Sequence, residues 1–243
     1  MMAAMQTTAL GWTLIDAPAG VLSFTYGFGG EGQANCFTAR LASGGLVVVS
    51  PPAEISEEAL AELTTHGAVE AIVANNGFHH LGLARWRARF PDARLFAAPG
   101  AAERIAKKSR DAGALEPLSA LEPLLPDTVS IVEAPTSRCG ETWARAAIEG
   151  GHAWYTSDIL ANMQRLPRNL VVRTIFKLTK SAPGYRVFGL AVRIILKDRR
   201  AALGAMLADV RAHPPTVIVP GHGELLSGDA LAAQTEGLLS AAI

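Results

Sequence analysis

Apolar residues fall along the chain in two kinds of pattern, short unbroken runs and stripes at helical spacing, and their order sets a fold class. Leu46-Val47-Val48-Val49 is wholly apolar and suits an interior strand, and the turn residues Ser43-Gly44-Gly45 lead into it as a hairpin. Residues 12–15, 21–24 and 35–41 are further short strands between glycine-rich or proline-containing turns. The glycine-rich run 26–32 lacks the lysine and following helix of a phosphate loop and is expected to be a hairpin tip.

After Ser50-Pro51-Pro52 the period changes. Ser56 is placed to cap a helix with Glu57 and Glu58 in its first turn, Ile55 and Leu60 stand at staple spacing, and Gly67 is its stop. The apolar run 69–74 is a buried strand, and Leu83, Trp86 and Phe90 form a helical stripe that ends at Pro91. A strand at 94–98 and a helix at 101–110 follow, so the alternation predicts a mainly parallel sheet with helices outside it. Strands at 128–134, 142–149 and 152–158 come next, the last two as a hairpin. Residues 165–200 predict a helix before Pro183-Gly184 and a helix or strand after it. Leu203, Met206, Leu207 and Val210 then form a stripe ending before Pro214-Pro215. The apolar run 216–219 is a buried strand, and an Ala/Leu-rich helix follows it.

Charge changes this picture in one place. Over 243 residues the formal net charge is zero, so no overall field favours nucleic acid or a membrane surface. Yet residues 165–200 hold ten basic side chains and one acidic one, Asp198, leaving 12 basic and 21 acidic elsewhere, a net of −9. The segment reads either as a solvated face balancing an acidic body or as a cover over the site that attracts an anionic substrate or a partner surface. No run of about 18 apolar residues exists to span a bilayer. The first ten residues do not read as a signal peptide, and Cys36 and Cys139 are too few for a disulfide framework. A cytoplasmic protein with two reduced thiols is expected.

Candidate chemistry lies where strands end. His79 and His80 occupy the loop between the 69–74 strand and the next helix, where adjacent side chains can address one object as they cannot within a strand. Asp158 closes the strand that ends Thr156-Ser157-Asp158, and His222 sits in Pro220-Gly221-His222-Gly223 at the end of the last strand. His66 ends a helix and His152 begins a strand, and both are given structural roles.

These parts in this order resemble the metallo-β-lactamase superfamily over nearly the whole chain. Asn35-Cys36-Phe37-Thr38, Gly45 and 47–52 look like its opening strand pair, and residues 75–80 stand at its histidine motif. Thr156-Ser157-Asp158 is similar to its T-G-D, and Pro220-Gly221-His222-Gly223 to its final histidine loop. Ser50-Pro51, the Asn-x-x-x-His-His spacing, and Trp86, Phe90, Pro91, Asp92 and Ala93 look like an uncharacterised branch, the DUF4336 proteins. The resemblance implies an αββα sandwich, taken as one domain over 1–243 with a basic insertion or cover at about 165–200, its loops meeting at one edge. Asn75 and Gly77 replace the first two motif histidines and the third-loop histidine falls near Ser137, so one of the superfamily's two metal positions has lost its ligands.

The other position keeps His80, Asp158 and His222 and gains His79 in place of an aspartate. The resemblance therefore implies one divalent metal on His79, His80, Asp158 and His222, with zinc, iron and manganese all suited to that set. It implies a hydrolase of an ester, amide, thioester or phosphoester, with Asp158 as the available base and Asn75 and Glu141 as substrate contacts. The alternative is a metal-free domain of the same fold that binds a ligand or a protein partner. A small-molecule substrate, anionic if the basic segment faces it, is expected, nucleic acid is not, and an oligomer stays open.

Overall fold

The computed structural model describes residues 5–28 and 32–243. Its first sheet has eight strands in sequence order: β1 (Gln6–Thr7), β2 (Trp12–Asp16), β3 (Val21–Phe28), β4 (Gly32–Arg40), β5 (Leu46–Val49), β6 (Val69–Ala74), β7 (Arg94–Ala97) and β8 (Glu116–Pro117). Antiparallel meanders join β1 to β5, and the pairs from β5 to β8 are parallel. The expected parallel sheet is thus the second half of a mixed one, because the Ser43-Gly44-Gly45 turn returns β5 antiparallel on β4. The expected hairpin tip at 26–32 is shorter than its glycine run, since β3 and β4 pair out to Phe28 and Gly32; residues 29–31 lie outside the described residues.

Crossover helices follow the signals in the sequence. Helix α1 (Glu57–His66) begins where the Ser56 hydroxyl accepts from the Ala59 amide at 3.1 Å, a cap of the kind that stabilises by about 1 kcal/mol. Helix α2 (Leu83–Arg89) buries Leu83 and Trp86, and α3 (Pro99–Lys108) starts on a proline, which needs no helical N–H partner there. These helices, with Leu60, Leu63, Trp86 and Ile105, cover the outer face of the first sheet.

The second sheet runs β16–β14–β11–β10–β9. It comprises β9 (Val129–Glu133), β10 (Thr142–Ile148), β11 (Gly151–Tyr155), β14 (Pro215–Val219) and β16 (Leu226–Ser227). Its inner face meets that of the first sheet, with Val47, Val49, Val73 and Phe96 packed among Ala144, Ala153, Val217 and Val219. Helices α6 (Arg199–Ala212) and α7 (Leu231–Ser240) cover its outer face through Leu203, Met206 and Leu239. Two sheets face to face with helices outside both make the expected αββα sandwich.

A small third sheet escapes the sequence patterns: β12 (Leu160–Met163) pairs with β13 (Gly184–Val187) and with β15 (His222–Gly223). Residues 165–200 form α4 (Leu170–Leu178), β13 and α5 (Gly189–Ile195), so both readings held open after Pro183 are present, a strand and then a helix. No described helix is long and apolar enough to cross a membrane.

Candidate metal centre

Three strand ends from the two sheets converge at one edge. After β6 the chain makes an Asx turn, in which the Asn76 side-chain oxygen accepts from the Phe78 amide at 2.7 Å and the His79 amide at 3.2 Å. That turn presents His79. After β11, Ser157 takes a left-handed conformation at φ 49° and presents Asp158. After β14, Gly221 donates to the Ser157 carbonyl at 2.8 Å, and β15 pairs parallel with β12, which presents His222.

Asp158 Oδ1 lies 3.2 Å from His79 Nε2 and 3.0 Å from His222 Nε2, and ligand atoms of the three residues lie within 4.8 Å of one another. Each imidazole is oriented from behind. His79 Nδ1 is 2.9 Å from the Ser50 hydroxyl, itself 3.2 Å from the Tyr26 hydroxyl, and His222 Nδ1 is 2.7 Å from the Gln33 carbonyl. Such outer partners fix tautomer and ring orientation at metal-binding histidines.

Asp158 has its own support. Its Oδ2 accepts from the Asn76 side-chain amide at 3.0 Å, and the other hydrogen of that amide goes to Glu141 Oε2 at 2.7 Å. Glu141 Oε1 accepts from the Asp158 backbone amide at 2.8 Å. Burial and the Asp158 charge push the Glu141 carboxyl up. Asp158 moves the other way: burial resists its ionised form, but the two imidazoles opposite outweigh that and hold it well below the usual carboxylate range. His222 is raised, since the Asp158 charge and hydrogen bond and the Gln33 carbonyl together outweigh burial.

Of the four expected ligands, the structure brings three together. His80 turns away to the Ser109 hydroxyl, 2.6 Å from its Nδ1, and burial with the nearby Arg104 charge lowers its pKa. Adjacent residues of a loop diverge as easily as they converge, and here the Asx turn commits only His79 to the edge. Asn75 and Glu141 do not face the cleft where a substrate would sit. Both are fully buried, Asn75 bonded to the Ser157 hydroxyl at 2.6 Å and Glu141 beneath Asp158. The positions matched to histidines of the resembled motif are taken up by other contacts. Gly77 accepts from Arg104 Nε at 3.1 Å, and Ser137 accepts from the Glu141 amide at 2.8 Å.

No spacing in the sequence marks Asn76, Gln33 or Tyr26 as site residues. Ser50 had a signal, because it ends the opening strand pair of the resembled motif. Its φ of 59° is also a conformation that a residue other than glycine rarely adopts.

A cleft of about 260 Å³ opens onto the cluster. His79, Asp158 and His222 form its polar end, while Pro51, Phe78, Leu81, Phe188, Ile194 and Ile195 supply apolar walls. The 165–200 segment contributes Phe188, Leu190, Ala191, Ile194 and Ile195 to the lining of the cleft, and none of its basic side chains lines it. Phe188 lies with its ring centroid 5.7 Å from that of His222.

No protein-family model and no curated protein matches the sequence. Solved structures do. The DIM-1 metallo-β-lactamase superposes with a TM-score of 0.57 at 10% identity over 92% of this chain and 94% of its own. FIM-1 from Pseudomonas aeruginosa, in a mono-zinc form, gives 0.54 at 13% identity over 100% and 96%. A metal-soaked Flv1 flavodiiron core from Synechocystis gives 0.58 at 14% identity over 98% of this chain and 60% of that one. The chain has the metallo-β-lactamase fold, and at these identities the likeness is one of fold.

Proposed function

We propose that this protein is a metal-dependent hydrolase whose single divalent ion is held by His79, Asp158 and His222. One observation carries the reading. A carbonyl can only accept, so His222 Nδ1 must be the protonated nitrogen facing Gln33, and in the neutral ring Nε2 then points a lone pair at a carboxylate oxygen 3.0 Å away. Two acceptors at that distance must share either the proton of an imidazolium or a metal ion, and a second imidazole, His79, on the same carboxylate oxygen makes the donor set that of a metal site. Two imidazoles and a carboxylate suit zinc, and also iron or manganese, and leave positions for water and substrate. Bound there, such an ion supplies Lewis-acid polarisation of the scissile bond and acidifies water.

The chain's own groups do the rest. Asn76 fixes one oxygen of Asp158 and leaves the other toward the cleft, where it is the nearest carboxylate to accept a proton from an attacking water. The apolar walls exclude bulk water and hold the non-reacting part of the substrate. Esters, amides, thioesters and phosphoesters bearing an apolar group fit this cleft better than the compact anions suggested by the basic segment. The whole chain is read as one domain with 165–200 as its cover. The narrower DUF4336 likeness rests on the Ser50-Pro51, Asn75–His80 and Trp86–Ala93 residues alone.

A second reading, a non-catalytic binding domain, is favoured by the same contacts in another protonation state. A protonated His222 would satisfy Asp158 with no ion present, as its raised pKa allows. Elemental analysis of untagged protein separates the two. About one equivalent of zinc, iron or manganese per chain supports the hydrolase and directs ester, thioester and phosphoester screens. Less than about a tenth of an equivalent, unchanged after reconstitution, removes it.

A further inference from the structure

Large apolar side chains that remain exposed gather around the cleft mouth. Phe78, Leu81 and Ile194 line the cleft and are themselves exposed, and α4, which packs on α5, exposes Val171, Ile175 and Leu178. The last three stand at i, i+4 and i+7, one stripe of a helix, and Val171 and Leu178 are 69% and 76% exposed. Such a stripe normally faces a core. Here α4 turns it outward and buries only Phe176, whose ring meets that of Phe188 at 5.7 Å. Its sequence, Leu-Val-Val-Arg-Thr-Ile-Phe-Lys-Leu, is rich in β-branched residues that favour helix weakly. Asn169 caps it, accepting from Val171 and Val172. One cap and one buried ring are a thin basis for a helix that leaves this much apolar surface in water.

Charge indicates what covers it. Arg173 and Lys177, at i and i+4 on another side of α4, are exposed, as are Lys180 and Arg193 nearby in the chain, within a segment of ten basic residues and one acidic one. Arg104, on the opposite lip, stacks its guanidinium 4.0 Å over the Phe78 ring. A helix with an exposed apolar stripe on one side and cations on the other has the chemistry of an anionic lipid surface.

We infer that α4 and the cleft mouth form a docking face for an anionic phospholipid surface. Bound there, the helix lies in the headgroup plane with Val171, Ile175 and Leu178 inserted, and the cleft opens toward the lipid. The inference does not depend on the metal, so chelated protein gives the same answer.

The test is flotation of the full chain with phosphatidylcholine vesicles and with vesicles in which about a third of the lipid is phosphatidylserine. Wild type should float with the anionic vesicles and not with the neutral ones. Val171→Ser with Leu178→Ser should weaken that binding at least about tenfold, and Arg173→Glu with Lys177→Glu by a similar factor. All four positions are exposed, and melting temperatures should confirm that the variants fold. Wild type that stays in solution, floats equally with neutral lipid, or is matched by either variant overturns the inference. So does a concentration-dependent dimer in light scattering that Leu178→Ser dissolves, which would assign the face to a second copy of the chain.

Discussion

Asn76 holds the centre together, and Asn76→Asp tests how. The substitution keeps the shape and the oxygen that accepts from the Phe78 and His79 amides, but it removes both side-chain N–H donors. Those donors serve Glu141 Oε2 at 2.7 Å and Asp158 Oδ2 at 3.0 Å, and all three residues are buried. A buried acceptor left unpaired costs about 1–3 kcal/mol, so two cost about 2–6 kcal/mol, before repulsion among three neighbouring carboxyl groups. Against a typical total of about 5–15 kcal/mol this is a large fraction.

The new carboxyl, pressed against two others, has its folded-state pKa raised above the unfolded value. A raised group contributes stability below its unfolded pKa and loses it as pH rises through the folded one. The deficit relative to wild type should therefore widen as pH rises. Urea unfolding of chelated wild type and variant across acidic to neutral pH measures it. A deficit below about 0.5 kcal/mol at neutral pH, or one that shrinks as pH rises, would refute the arrangement.

His80→Ala should leave metal content unchanged while His222→Ala abolishes it, as elemental analysis of both would show; loss in both would restore a four-residue ligand set. In chelated wild type, His222 is raised and Asp158 depressed. The first contributes stability at low pH that is lost as pH rises through its raised value; the second contributes stability above the ordinary carboxylate pKa that is lost as pH falls through its depressed one. Urea midpoints should therefore peak between these limits, and His222→Ala should flatten the alkaline decline.

The sandwich was legible because its elements announce themselves locally. Ser56 with Glu57 and Glu58 marks a helix start, and the apolar runs of β5, β6 and β14 mark buried strands. β12 carries no such mark, because Leu160-Ala161-Asn162-Met163 follows Asp158 without a turn signal and pairs with two short strands distant in sequence. The edge carrying His79, Asp158 and His222 was visible because strand ends are where irregular backbone can aim side chains. What lies behind those residues was not. Asn76 and Gln33 act through contacts 82 and 189 residues away in sequence, and no spacing rule reaches that far. The direction of His80 was likewise decided by a tertiary partner, Ser109.

Asn35 has a consequence for the order in which the molecule is made. Its backbone amide donates to the Gly221 carbonyl at 3.0 Å, and its side-chain amide reaches the Pro220 and Gly223 carbonyls at 2.8 Å each, tying β4 to the loop of His222. The earliest strands thus wait for one of the latest loops. A nascent chain that has reached Asp158 has two of the three side chains proposed to hold the ion, while the brace that will hold the third has nothing to grip. Loading with the proposed ion would then be a closing event of biosynthesis, and a truncated product lacking residues after 219 would keep the Thr25 contact to Asn35 but leave its side-chain amide without the two carbonyls it serves.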